Sequence, residues 1–147
     1  MLYIAADHGG FELKKLILSY LRDKLKLAVE DLGAFEINPT DDYPDFAIKL
    51  ARAVVKDTNN LGILICRNGQ GMCVTANKIA GARAIVGFDI EATKWARNDD
   101  HVNILCLPAE YISKRIAKKM VKIFIETPVN NDERFLRRLK KITAIEK

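Results

Sequence analysis

The chain predicts a doubly wound α/β sandwich, on three observations. Short apolar runs of strand length alternate with amphipathic helical segments five times over, which argues for a parallel sheet with helices on both faces. The run Leu61–Cys66 is apolar almost throughout, as a strand covered on both sides must be. The two most polar glycine-bearing turns, Asp7-His8-Gly9-Gly10 and Cys66-Arg67-Asn68-Gly69-Gln70-Gly71, follow the first and third strands. A flavodoxin-like strand order makes those two turns meet at the switch point, where such sheets bind ligands.

Taken in order, Leu2–Ala6 is an apolar strand stopped by the first of these turns. Phe11–Leu25 has helical spacing through Leu13, Leu16, Ile17, Tyr20 and Leu21. Leu27–Leu32 returns to strand, and Gly33–Asp42 is a loop broken by Asn38 and Pro39. The next helix, Pro44 to Lys56, turns Phe46, Ala47, Leu50, Ala51 and Val54 inward, with Asp42 as N-cap and Pro44 near N1. Leu61–Cys66 is the central strand, and its helix spans Gly71 to Ile79. Ala84–Phe88 is the fourth strand and Ile90–Asn98 the fourth helix, with Trp95 expected to pack inward. Ile104–Leu107 is the fifth strand and Ser113–Ile125 a helix closed by Thr127-Pro128. A basic terminal helix runs from Asp132 to Ile145.

The totals fit a single domain over residues 1–147, with ordinary soluble composition at 49% hydrophobic and 29% charged residues. Apolar runs are strand-sized, so no membrane span is expected, and the N-terminus lacks the basic region of a signal peptide. Cys66, Cys73 and Cys106 are an odd number without CxxC spacing, which fits a reducing, cytoplasmic compartment. Much of the net charge of +5 lies in Arg134, Arg137, Arg138, Lys140, Lys141 and Lys147. Only Phe135 interrupts that basic stretch, so the aromatic interleaving of a single-strand nucleic-acid binder is missing and no nucleic-acid partner is expected.

A strand, a glycine turn and a helix in succession make an anion site, because free N–H groups point at the ligand. The same helix end would lower the pKa of Cys66, while Cys73 and Cys106 read as core. Gly69-Gln70-Gly71 opens like a dinucleotide fingerprint, but Val74 stands where the third glycine belongs and the motif follows the wrong strand. No cofactor is therefore expected. Two histidines are few for a metal centre, and none is expected. His8 reads equally as a cap of the first helix or as a phosphate donor.

Together, Asp7-His8-Gly9-Gly10-Phe11, Asp42-Tyr43-Pro44-Asp45, Ile65-Cys66-x-x-Gly69-x-Gly71-Met72, Ala76-Asn77-Lys78, Gly81-x-Arg83-Ala84 and Ile142-Thr143-Ala144-Ile145-Glu146 resemble type B ribose-5-phosphate isomerase. That family includes the galactose-6-phosphate isomerase subunits, and the likeness covers essentially the whole chain. The resemblance implies a Rossmann-like three-layer sandwich with a five-stranded parallel sheet, and a homodimer or dimer of dimers with shared active sites. It implies cofactor-free exchange of an aldose phosphate and a ketose phosphate through an enediolate. On this pattern Cys66 is the base, loop N–H groups at Asn68–Gly71 stabilise the oxyanion, and Asp7 and Tyr43 contact the sugar. His8, Arg134 and Arg138 hold the phosphate, with the tail arginines supplied by the neighbouring subunit.

Three departures stand out. The family's Cys-Gly-Thr-Gly turn is Cys66-Arg67-Asn68-Gly69 here, so Arg67 either narrows the pocket or adds an anion contact. The family's ring-opening segment, Arg-x-His-Asn-x-x-Asn, aligns with Arg97–Asn103. Asp99 then takes the histidine's place and Asp100 the asparagine's, with His101 two residues on. Glu110 aligns with a phosphate arginine. These changes leave a non-catalytic sugar-phosphate binder, a sensor or inactive partner subunit, as the alternative to an isomerase.

Overall fold

The computed structural model describes residues 1–146, so Lys147 of the basic tail lies outside the described residues. The apolar runs pair into a parallel sheet of β1 (Leu2–Ala6), β2 (Val29–Asp31), β3 (Leu61–Cys66), β4 (Ala84–Val86) and β5 (Ile104–Pro108). Six helices connect or follow them: α1 (Phe11–Ser19), α2 (Tyr43–Val54), α3 (Gln70–Ala76), α4 (Ile90–Asp100), α5 (Lys114–Glu126) and α6 (Glu133–Thr143). After α1 the chain winds through a π turn at Tyr20–Lys24, closed by Leu25 N–H to Tyr20 O at 3.1 Å.

The strand order is β2-β1-β3-β5-β4 and not the flavodoxin-like order expected, because β5 inserts between β3 and β4. The switch between β1 and β3 survives this change. The change also brings the end of β5 beside the end of β3, with Cys66 in register with Pro108.

Period-2 alternation divides the core. Ile4, Ile63, Ile65, Leu105 and Leu107 face α1 and α5 together with part of α4. Ala5, Leu64, Cys66, Ile104 and Cys106 face α2 and α3. Cys66 therefore points toward the α2–α3 layer. Trp95, expected inward, is 53% exposed. Thr93 and Ala96 face the sheet instead, and Trp95 lies more than a quarter-turn from both on the helical wheel. Asp42 is the N-cap of α2 by backbone position but makes no side-chain cap bond, and Pro44 follows Tyr43 in the first turn. No described helix is long and apolar enough to cross a membrane.

Candidate active site at the carboxyl edge of the sheet

The two polar turns meet. A Cβ placed on Gly9 would lie 3.2 Å from the Arg67 backbone nitrogen, so the turn after β1 touches the turn after β3. The end of β5 closes the same edge, with Ala109 N–H on Cys66 O at 2.9 Å and Glu110 N–H on Arg67 O at 3.0 Å. Gly69 starts α3 in the left-handed region at φ +74°, which favours glycine. Gly71 has no room for a side chain because a Cβ there would come 2.6 Å from the Tyr43 ring. That contact seats the Tyr43 ring over the start of α3. Asp7, His8, Tyr43, Cys66, Arg67, Asn68, Gly69 and Gly71 thus share one edge of the sheet.

Cys66 is 5% exposed, and its Sγ accepts the Gly69 N–H at 3.2 Å. Burial pushes the thiol up, and the nearby Asp7 carboxylate pushes the same way. The Gly69, Met72 and Asn68 N–H groups favour the thiolate but do not outweigh burial. The expected lowering by the helix end is therefore reversed, since desolvation is the larger effect. Asp7 is also raised by burial, against the pull of the Gly10 N–H, which donates to its Oδ1 at 3.0 Å. Alkylation of the Cys66 peptide by iodoacetamide should therefore rise with pH well into the alkaline range. Asp7→Asn removes a negative charge and should shift that rise to lower pH. An unshifted profile would show that Asp7 does not act on the thiol.

His8 does not cap α1, whose N-cap is Gly10. Its Nδ1 meets Asp41 Oδ1 at 2.5 Å, and its backbone N–H donates to the same oxygen at 3.1 Å. Asp41 is the residue that sequence reasoning missed. Its only signal was a doubled aspartate, Asp41-Asp42, of which the cap reading used the second. Backbone bonds between Ala6 and Gly33 and between Ala34 and Ala6 stitch the loop onto the end of β1. Buried Lys14 also ties that loop down, through Asp31 at 2.8 Å and through Ala34 O. Asp7, His8 and Asp41 are the one group among the described residues whose donor atoms, all within 4.8 Å, are close enough for a cation. His8 Nδ1 is already committed to Asp41 there.

The departures at Arg67 and Glu110 answer each other. Arg67 Nε meets Glu110 Oε1 at 3.0 Å on an exposed rim, so the arginine neither fills the pocket nor offers its full charge to a ligand. An exposed pair of this kind contributes at most about 1 kcal/mol to stability.

Asp99, Asp100, Arg134 and Arg138 are not brought to this edge. The strands are parallel, so α4 must carry the chain from the carboxyl end of β4 to the amino end of β5. Asp99 and Asp100 form its last turn, at the amino edge. The segment leading into α6 is held beside that turn by Asn130 N–H on Asn98 O at 2.8 Å and Asn98 Nδ2 on Pro128 O at 2.9 Å. Arg134 and Arg138 lie exposed on α6, their guanidinium groups 4.5 and 5.7 Å from the Phe135 ring. His101 does not substitute for Asp99 either. It ends α4 in the left-handed region, and its Nε2 bonds Asn130 O at 2.7 Å.

A Rossmann-like sheet that gathers a thiol, a carboxyl group and an imidazole on the turns at its switch point has the form of an α/β enzyme. The sequence model of the family described as Ribose/Galactose Isomerase matches residues 2–142. The chain belongs to that family and is an isomerase. A probable ribose-5-phosphate isomerase B of Mycoplasma pneumoniae is 40% identical over 146 residues, covering 99% of this chain and 95% of the relative. The crystal structure of ribose-5-phosphate isomerase B from Mycoplasma genitalium with bound ribulose 5-phosphate matches with a TM-score of 0.92 at 38% identity, covering 99% and 95% of the two chains. The Thermotoga maritima ribose 5-phosphate isomerase structure matches with a TM-score of 0.91 at 35% identity, covering 98% and 97%.

Proposed function

We propose that this chain interconverts an aldose phosphate and a ketose phosphate, ribose 5-phosphate and ribulose 5-phosphate or a related pair, through an enediolate. The observation that carries this reading is the meeting of the Asp7-His8 turn with the Cys66 turn at the switch point. As thiolate, Cys66 takes the proton from C2 of the open-chain aldose. The C–H electron pair becomes the C1–C2 double bond, and the carbonyl electrons move to O1. The resulting thiol returns the proton to C1 while the O2 proton passes to O1, so that O1 becomes the hydroxyl and C2 the carbonyl of the ketose. Gly69 N–H is occupied by the thiol, Asn68 N–H is turned to it as well and Gln70 N–H is taken by Asn68 Oδ1, so Gly71 supplies the loop N–H left for the oxyanion. Asp7 and Tyr43 contact the sugar, and His8, held by Asp41, meets the phosphate with Arg67 at the rim.

Asp99 as ring-opening group, Asp100, and the phosphate arginines Arg134 and Arg138 come from a second copy in this reading. Their place at the opposite edge supports a homodimer, or a dimer of dimers, whose active sites are shared. The test is a panel of phosphorylated aldoses and ketoses followed by NMR. Turnover of at least one pair supports the reading. Binding without turnover across the panel would fit a non-catalytic sugar-phosphate binder.

A further inference from the structure

The geometry points to a second anion site, for a phosphate-class oxyanion, between Arg83 and Arg97 at the amino edge of the sheet. A cavity of 300 Å³ opens there, walled by Thr58 and Asn59 entering β3, Arg83 entering β4, Arg97 and His101 of the last α4 turn, and Asn131. That volume equals about ten waters' share of liquid, ample for a tetrahedral anion that keeps part of its hydration. No carboxylate lines it among the described residues.

Both guanidinium groups are held in place before any ligand arrives. Arg83 Nε donates to His101 O at 3.0 Å, and Arg97 Nη1 donates to Val102 O at 3.0 Å. Arg97 Nε is buried and has no partner. Burial pushes both arginines below their ordinary value, and the Arg83 charge pushes Arg97 further the same way. The acid that acts on Arg83 is Glu146, which with Asp100 and Arg83 itself lines a neighbouring 480 Å³ cavity under α6. Two half-buried like charges carry a cost that an oxyanion accepting from the guanidinium faces of both arginines would offset. Within one chain this site is separate from the Cys66 turn. The six residues of β3, rising about 3.3 Å each, stand between Asn59 and Cys66. Neither Arg83 nor Arg97 belongs to the isomerase machinery proposed above.

The test is a calorimetric titration of inorganic phosphate into the full-length protein as it assembles, in phosphate-free buffer. Thr58→Glu places a carboxylate in the cavity from an exposed turn and leaves both arginines in place. Thr58→Glu and Arg97→Met should each weaken phosphate at this site at least tenfold, about 1.4 kcal/mol, and Thr58→Glu should leave sugar-phosphate turnover intact. His8→Gln should keep binding at this site even if the isomerase reading fails, because the two sites share no residue. Should Arg97→Met not fold, Thr58→Glu decides alone. A phosphate isotherm in Thr58→Glu identical to wild type, or loss of all phosphate binding in His8→Gln, would overturn the proposal.

Discussion

Cys66→Ala should lower kcat for sugar-phosphate isomerisation by about 10²–10⁴-fold and leave KM little changed. The substitution removes one atom that points into the α2–α3 layer, so the loss would reflect chemistry and not collapse. Its structural cost is an unsatisfied Gly69 N–H, worth about 1–3 kcal/mol, which a domain of ordinary stability survives. Thermal melting should therefore show a modest drop beside an almost complete loss of turnover. Cys106→Ala is the contrast. That thiol is wholly buried beside Cys73, and its removal should cost stability without touching the chemistry. Wild-type turnover by Cys66→Ala would remove the thiol from the reaction.

Mixing Cys66→Ala with Arg138→Met, each nearly inactive alone, should restore about a quarter of wild-type activity after subunit exchange. Random exchange between two-fold dimers makes half of them mixed, and each mixed dimer regains one intact site of its two. Cys66 ends β3 at the carboxyl edge, whereas Arg138 rides on α6, which packs against α4. If both groups served the same chain's site, every site in the mixture would hold a defect and no activity would return. Asp99→Ala mixed with Cys66→Ala should behave the same way if Asp99 opens the ring. A homogeneous Asp99→His variant should then gain activity over the parent protein.

Much of this could be read before any coordinates. Leu61–Cys66 announces a doubly covered strand because a parallel strand has no polar face, and Asp7-His8-Gly9-Gly10 announces a turn because little else can stop β1 so abruptly. Other features were out of reach for definite reasons. The insertion of β5 beside β3 is a choice of pairing partner, and strand periodicity does not encode partners. Trp95 stays exposed because one step around a helix separates inward from outward, less than a composition argument resolves. The Arg67–Glu110 pair joins two positions that look like separate losses until β5 closes the edge.

By itself the sequence determined the layer architecture, the two turns that meet and the buried thiol between them, because each follows from local periodicity and turn chemistry. The tertiary structure alone decided that Asp41 holds His8, that burial raises Cys66 despite the helix end above it, and that Asp99 and Arg138 lie across the sheet from the thiol. Those outcomes depend on desolvation and on distances between residues far apart in the chain, and both come into being only when the sheet is assembled.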